Sequence, residues 1–145
     1  MIERILHEGK ELALIIRSSF SKDGIEFFTP NDYSQQLGYM KRPSGYLIAP
    51  HVHNTVPSKV SYTSEVLFIR SGRVRVDFYN IDRCYLESSI LERGDIILLA
   101  LCGHGFEMLE ETEIVEVRQG PYAGEQDKTR FAAIPESLIK IRQPE

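Results

Sequence analysis

The second half of the chain is a succession of short β-rich runs separated by turn residues. The run from Arg73 to Tyr79 is the clearest, because every second residue in it is apolar. This period of two predicts a strand whose apolar residues face the core, and it places Arg73 and Arg75 on a solvated outer face. The preceding run, Glu65 to Arg70, is joined to it by Ser71-Gly72, a glycine-containing connection typical of a hairpin.

Similar runs occur on both sides of this pair. They are Glu11–Arg17, Gly24–Phe28, Gln36–Arg42 and Tyr46–Ala49 before it, and Cys84–Leu91, Asp95–Ala100, His104–Leu109 and Thr112–Gln119 after it. A short helix is expected after Pro135, because proline suits a first helical turn. Many short strands with almost no helical periodicity predict an all-β sandwich or barrel. The 145 residues are enough for one domain but not for two ordinary ones.

The charge and the apolar content of the chain argue against several functional classes. The net charge of −4 is spread along the chain, and no basic stripe of the kind that binds nucleic acid is visible. No apolar run approaches the roughly 20 residues that cross a bilayer, and the start of the chain shows no small-residue cleavage site of a signal peptide. We therefore expect a cytoplasmic protein with no nucleic-acid and no membrane partner. Cys84 and Cys102 are expected to be free thiols rather than a disulfide.

Three of the four histidines lie in two short stretches. His51 and His53 are two residues apart, so an extended backbone would point both rings to one face. His104 begins a later run, and inward positions of distant strands converge inside a small barrel. Neutral imidazoles suit zinc, copper, iron or nickel, and a carboxylate such as Glu65 with open positions beside it is the arrangement of a catalytic metal site. The remaining histidine, His7, is expected at the surface.

The same residues allow plainer interpretations. A lone histidine in a strand is usually a surface or core residue, and a pair of histidines two apart often arises by chance. Cys102, two residues before His104, could add a thiolate ligand, although an inert loop thiol is the commoner case. The long polar loop Asn54–Ser64 leaves directly from the histidine pair, and it could act as a lid or as a plain connection.

The two histidine stretches resemble the two sequence motifs of the cupin superfamily. The first motif is matched in order by Gly45, His51, His53, Glu65 and Gly72, and the second by Gly94-Asp95 and His104. The chain departs from the family pattern where eleven residues separate His53 from Glu65 in place of three or four. Ala100 also stands where a proline is expected, and Met108 stands where an asparagine is expected.

The resemblance implies a cupin-type double-stranded β-helix, a jelly-roll barrel, over a single domain of residues 1–145. Its core is expected at roughly 36–119, with N-terminal strands at 11–28 and a C-terminal extension at 120–145. The resemblance also implies one divalent transition metal per chain, which would be iron, manganese, nickel or zinc. The implied metal ligands are His51, His53, Glu65 and His104. The residues expected to line the substrate cavity are Gln36, Tyr39 and Tyr46, although strand aromatics are more often packing residues.

Several functions are compatible with such a site. The leading interpretation is a metal-dependent enzyme that acts on a polar small molecule. The family resemblance suggests an isomerase, lyase or dioxygenase, and a sugar or sugar acid as the substrate. The alternative is a non-catalytic cupin module that binds or senses a small molecule, and a third possibility is a structural partner with a vestigial site. The resemblance also implies a homodimer, for which the apolar segment Glu11–Arg17 is the expected pairing edge.

Overall fold

The computed structural model describes residues 1–57, 59–60, 62–120 and 128–143, and their regular structure is almost entirely β. The strands are β1 (Ile2–His7), β2 (Lys10–Ile16), β3 (Gly24–Phe27), β4 (Gly38–Lys41), β5 (Glu65–Ser71), β6 (Arg73–Tyr79), β7 (Tyr85–Glu92), β8 (Ile96–Leu99), β9 (Gly103–Met108) and β10 (Glu113–Arg118). The prediction of an all-β protein is confirmed. The contacts divide the chain into a main unit, residues 1–19 and 62–145, and an inserted unit, residues 20–61.

The main unit contains two antiparallel sheets. One has five strands in the order β1-β2-β8-β5-β10, and the other has three in the order β7-β6-β9. Within the described residues, neither sheet closes into a barrel. β2 pairs with β1 on one side and with β8 on the other. Glu11–Arg17, the expected dimerisation edge, is therefore already paired on both sides, and the outer strands of this sheet are β1 and β10. The homodimer itself stays a prediction.

The core of the main unit lies between the two sheets. Val74, Val76 and Phe78 of β6 are fully buried, as their alternation predicts. They belong to one apolar cluster with inward residues of the larger sheet such as Leu67 and Ile97. Full burial of a side chain of this size contributes roughly 1.5–3 kcal/mol. The inner faces therefore hold the sheets together, and a polar residue on either inner face is placed between them.

The chain crosses from the larger sheet to the smaller one at Gly72. β5 and β6 lie on either side of this residue but do not pair with each other, so the hairpin predicted at Ser71-Gly72 is wrong. Gly72 has a φ of +79°, a left-handed conformation that glycine adopts without strain. The Thr112 hydroxyl fixes the backbone of the next residue, Arg73. It accepts a hydrogen bond from the Arg73 N–H at 3.1 Å, and its single proton lies within reach of the Glu110 carbonyl at 2.8 Å and the Arg73 carbonyl at 3.1 Å.

The C-terminal segment 128–143 covers the outward face of the smaller sheet. The Tyr79 ring packs edge to face on Phe131 with 5.0 Å between centroids. Its hydroxyl accepts a hydrogen bond from the Ile134 N–H at 3.1 Å. Farther along, Ser88 of β7 forms a short parallel bridge with Ile141. The segment is thus held at both ends by residues of the smaller sheet.

This cover changes the environment of the two arginines on β6. Arg75 is only 6% exposed, so the solvated position predicted for it is wrong. Arg73, whose side chain is 44% exposed, does reach solvent. The helical turn predicted after Pro135 is confirmed as a 3-10 turn, Glu136–Leu138, and Glu136 pairs with Arg75 at 3.2 Å. The described residues contain no helix with the length and apolar character needed to span a bilayer.

The inserted unit contains the two-stranded antiparallel sheet β3–β4. Phe28 and Leu37 are buried, and the Phe28 N–H donates to the Leu37 carbonyl at 2.9 Å. The Phe20 ring packs edge to face on Phe28 and on Tyr39, with centroid distances of 5.6 and 4.9 Å. The strand predicted at Tyr46–Ala49 is wrong, because residues 46–57 have no regular secondary structure.

Candidate functional site

Glu65 and His104 meet in the space between the two sheets of the main unit. Glu65 is the first residue of β5, and its neighbours in the sheet register are Leu99 of β8 and Arg118 of β10. His104 is the second residue of β9 and lies opposite Phe78, so it shares the inner face of the smaller sheet. Its Nε2 is 3.2 Å from Glu65 Oε2. Two of the four predicted ligands are therefore adjacent.

Both ring nitrogens of His104 face oxygen atoms. Nδ1 is 3.4 Å from the Cys102 carbonyl oxygen, and Nε2 faces the Glu65 carboxylate. A neutral imidazole donates from only one nitrogen, whereas the imidazolium donates from both. If Nδ1 carries the proton directed at Cys102, the contact between Nε2 and the carboxylate needs a positive charge there. That charge is either a second ring proton or a metal ion bound by both groups.

The spacing of the two groups fits a shared metal ion. Two ligand atoms that are each about 2.1 Å from one ion lie roughly 3.0–3.4 Å apart at ordinary coordination angles. The observed 3.2 Å between Glu65 Oε2 and His104 Nε2 falls in this interval. An imidazole whose other nitrogen faces a backbone carbonyl is also the usual form of a metal-ligating histidine. The pair is therefore compatible with a metal as well as with a simple ion pair.

A cavity of about 760 Å³ opens beside this pair. Its lining includes Glu65, Cys102, His104, Phe106 and Tyr79. Cys102 is an unsuitable nucleophile, because burial, reinforced by the charge of Glu65, raises the pKa of its thiol to about 12. The inert-thiol interpretation of this residue is therefore the better one. The volume is that of a small-molecule site, for which 300–1,000 Å³ is typical.

The Glu65 carboxylate is held in its ionised form by its neighbours. The hydrogen bond from His104 lowers the pKa of Glu65, and the positive charges of His104, Lys128 and Arg118 lower it further. Burial, the second-largest influence after the hydrogen bond from His104, acts in the opposite direction. Arg118 Nη1 is 3.5 Å from Glu65 Oε1. An ionised Glu65 carboxylate can pair with the positive charge between it and His104, whether that charge is a second ring proton or a metal ion.

This lowered pKa predicts an acid-dependent loss of stability in chelator-treated protein. A carboxylate whose pKa is below its usual 4.5 contributes stability above pH 4.5 and loses that contribution as the pH falls through the folded-state pKa. We expect the free energy of unfolding of wild type relative to Glu65→Gln to be largest above pH 4.5 and to shrink below it. Urea unfolding between pH 7 and pH 3 measures this difference.

The control for this series is Glu113→Gln, which removes an exposed carboxylate from β10 of the same sheet. Its side chain is 65% exposed, and surface ion pairs contribute little. Its difference from wild type should stay small at every pH. A difference between wild type and Glu65→Gln that grows on acidification would contradict the assignment.

The other predicted ligand pair, His51 and His53, lies on the irregular segment of the inserted unit. Both side chains are exposed, and their ring centroids are 5.2 Å apart. His51 Nδ1 is 2.9 Å from the Ala49 carbonyl oxygen. A proton on Nδ1 would leave the lone pair on Nε2, the form in which a histidine binds metal. In the ranges that the structure describes, no cluster of three or more metal-binding side chains is formed. The four-ligand set stays a prediction.

The three residues predicted to line the substrate cavity also lie in the inserted unit. Gln36 is exposed and donates to the Pro30 carbonyl at 3.4 Å. Tyr39 packs against Phe20, and Tyr46 lies under the Arg42 guanidinium at 4.8 Å. The structure thus gives Tyr39 a packing contact and places Tyr46 at the surface of its unit. Their role in binding stays a prediction.

Cations near Glu65 were not anticipated from the sequence. Arg118 comes from β10, while Lys128 and Arg130 come from the C-terminal segment and line the cavity. The alternation of β10 contained a signal for Arg118, since Ile114, Glu116 and Arg118 share one face. The C-terminal segment has no periodicity that could have placed Lys128 or Arg130.

Comparison of the chain with protein-family models, with curated proteins and with solved structures gave no significant match.

Proposed function

We propose that this chain is a metal-binding protein of the cupin type whose main unit binds a polar small molecule beside the Glu65–His104 pair. The observation that carries the proposal is the 3.2 Å approach of His104 Nε2 to Glu65 Oε2 at the edge of a cavity. Glu65 belongs to the first cupin-like motif and His104 to the second, so each motif supplies one of these two ligands. Their meeting between two sheets is independent of the motif spacing that suggested them.

The arrangement of the main unit supports a jelly-roll type of fold. Jelly rolls are built from two facing antiparallel sheets, and cupins are among them. Here a five-stranded and a three-stranded antiparallel sheet share one apolar core, and the chain passes between them at Gly72. A double-stranded β-helix is the arrangement we propose for this unit. Its site would lie between the inner faces, where Glu65 and His104 are found.

Different side chains of the cavity would have different roles in such a function. A divalent iron, manganese, nickel or zinc ion would supply Lewis-acid chemistry when bound. Glu65 and His104 would hold it, with the Cys102 carbonyl orienting the His104 ring at 3.4 Å. Leu99 and Phe106 line the cavity and exclude water from part of its surface. We propose isomerase, lyase or dioxygenase chemistry on a polar small molecule such as a sugar or sugar acid.

Metal content tests the proposal directly. The wild-type chain, stripped with a chelator and reloaded with each of the four metals, should retain close to one ion per chain by elemental analysis. His104→Ala should lose at least about 100-fold in metal affinity and stay folded, because the apolar core does not include this side chain. Glu65→Gln should lose less, since an amide oxygen remains a weak ligand.

His7→Ala is the matched control, because it removes a histidine on β1 that neither motif includes. It should leave metal binding unchanged. His51→Ala tests the two predicted ligands of the inserted unit, and a loss as large as that of His104→Ala would support the four-ligand set. Less than a substantial fraction of one ion in wild type, or full retention in His104→Ala, would sink the proposal. Bound metal without turnover on a panel of sugars and sugar acids would favour the sensing alternative over an enzyme.

A further inference from the structure

The rings of His51 and His53 have the separation of two imidazoles that share one metal ion. Their centroids are 5.2 Å apart, and their planes are inclined by 75°. Two imidazoles that each place one nitrogen about 2.0–2.1 Å from the same ion have centroids roughly 5 Å apart at a tetrahedral angle. The pair therefore needs little rearrangement to bind one ion through both rings.

The protonation of His51 also suits metal binding. Its Nδ1 is 2.9 Å from the Ala49 carbonyl oxygen. Because a carbonyl oxygen only accepts hydrogen bonds, Nδ1 carries the proton in the neutral ring and Nε2 keeps its lone pair. A backbone carbonyl that fixes the second ring nitrogen is a common feature of metal-ligating histidines. The side chains of His51 and His53 are both exposed, so an ion can reach them from solvent.

Two imidazoles are only half of a stable site for zinc. Structural zinc is bound by four protein ligands in a tetrahedral arrangement. In the ranges that the structure describes, no further histidine, cysteine, aspartate or glutamate side chain joins His51 and His53 in a metal-binding group. A second copy of the chain supplies the missing half, because a two-fold axis through the ion repeats the same pair on its opposite side.

The segment 46–56, which contains the pair, has the composition of a contact surface between copies. Its large apolar side chains are all at least 53% exposed, namely Tyr46, Leu47, Ile48, Val52 and Val56. Exposed apolar residues that are grouped in this way are typical of interaction sites. The segment contains no aspartate, glutamate, lysine or arginine. Two copies can therefore approach each other along it without repulsion between like charges.

We propose that two copies of this chain share one zinc ion, which is bound by His51 and His53 of each copy and surrounded by the apolar residues of segment 46–56. This site goes beyond the proposed function, because it is separate from the Glu65–His104 pair and neither assignment depends on the other. Its occupancy requires association of two copies and therefore falls on dilution, whereas binding within one chain does not depend on protein concentration.

The test uses the full-length His104→Ala variant after chelator treatment, so that an ion at the Glu65–His104 pair does not contribute. Zinc is titrated by isothermal titration calorimetry, and the molar mass is followed by sedimentation equilibrium. We expect binding of about half an equivalent of zinc per chain and a doubling of the molar mass that a chelator reverses. His51→Ala and His53→Ala, each in the same background, should lose the zinc-dependent increase in mass.

His7→Ala in the same background is the matched control, because it removes a histidine of β1 and should leave the increase in mass unchanged. Wild type should show the same increase as His104→Ala. An increase confined to His104→Ala would overturn the inference, since His104 would then complete a site with the pair within one chain. Binding of one equivalent of zinc per chain without an increase in mass, no zinc binding, or an undiminished increase in His51→Ala and His53→Ala would also overturn it. Metal retention by wild type at high dilution tests the Glu65–His104 pair separately, so failure of either site leaves the other standing.

Discussion

Alanine at Gly72 is expected to lower the free energy of unfolding of this protein by roughly 2–5 kcal/mol. Two costs add at this position. A residue with a Cβ is strained at a φ of +79°. The added Cβ would also overlap the Glu111 carbonyl oxygen and lie 2.7 Å from the Thr112 Cα. Both obstacles are backbone atoms of the β9–β10 connection, which cannot rotate away. Urea unfolding followed by circular dichroism measures the loss.

Gly9 provides the matched control for this substitution. It lies between β1 and β2 with a φ of +75°, and no atom comes within 4 Å of an added Cβ. Gly9→Ala therefore incurs only the conformational cost, about 1–2 kcal/mol. The additional loss in free energy of unfolding in Gly72→Ala, compared with Gly9→Ala, measures the steric cost at the point where the chain passes from one sheet to the other. Equal losses in the two variants would show that the β9–β10 connection does not press on Gly72.

The consequence of Gly72→Ala should extend to the candidate site. Gly72 directly follows the strand that carries Glu65, and the connection it touches lies between β9, which carries His104, and β10, which carries Arg118. Displacing that connection would separate elements that supply the site from different sheets. The folded fraction of Gly72→Ala should therefore bind metal more weakly than the folded fraction of Gly9→Ala.

The strands that could be predicted from the sequence are those with a clear pattern of their own. β5 and β6 were expected almost at their observed limits, because alternation and β-branched residues identify them locally. β1 was not expected, since Ile5 lies among charged residues. One of these, Glu3, is buried and accepts a hydrogen bond from Arg17 at 2.5 Å. That partner is fourteen residues away, so a local pattern does not reveal the strand.

The topology at Gly72 could not be predicted for a physical reason. A hairpin turn and a crossing between sheets can both use a residue with positive φ, and glycine suits either. What decides between them is which strands pair with β5 and β6, and those strands, β7 to β10, come later in the chain. The sequence therefore indicates a turn residue at Gly72, but not whether this residue forms a hairpin or a crossing between sheets.

The candidate site was predicted in part. Glu65 and His104 were expected to approach each other, and they do, at 3.2 Å. Arg118 was not expected, because the apolar Val115 and Val117 beside it suggest that their face is the buried one. The register shows the reverse. Val115 and Val117 are about half exposed, and the polar face of β10 points inward with Arg118. Alternation locates the two faces of a strand, but it does not tell which of the two faces inward.

Arg75→Met is expected to lower the free energy of unfolding by about 3–5 kcal/mol, which is the second of the two large effects. The hydrogen bond to Asp77 raises the pKa of Arg75, so its charge persists at every accessible pH. Asp77 is only 4% exposed and accepts from Arg75 at 2.8 Å and from the Ser88 hydroxyl at 2.6 Å. Without the guanidinium it becomes a buried carboxylate whose charge is uncompensated on that side.

Arg73→Met is the matched control, because Arg73 lies on the same strand and the same face. Its side chain is 44% exposed and pairs with Glu92 at 3.3 Å, so its loss should be at most about 1 kcal/mol. The double variant Arg75→Met/Asp77→Leu removes both buried charges and should recover at least half of the stability lost in Arg75→Met. Similar losses in Arg73→Met and Arg75→Met, or no recovery in the double variant, would contradict this account of the pair.

Arg75 also anchors the C-terminal segment through Glu136 at 3.2 Å, so Arg75→Met should loosen this segment before the strands unfold. Limited trypsin digestion in the absence of denaturant measures this loosening, because Lys128 and Arg130 then become more accessible. Both residues line the cavity. Cleavage at these positions should be faster in Arg75→Met than in Arg73→Met, and equal rates would show that Arg75 does not hold the segment. If cleavage is faster, the charge cluster around Arg75 holds in place two side chains of the cavity lining, Lys128 and Arg130.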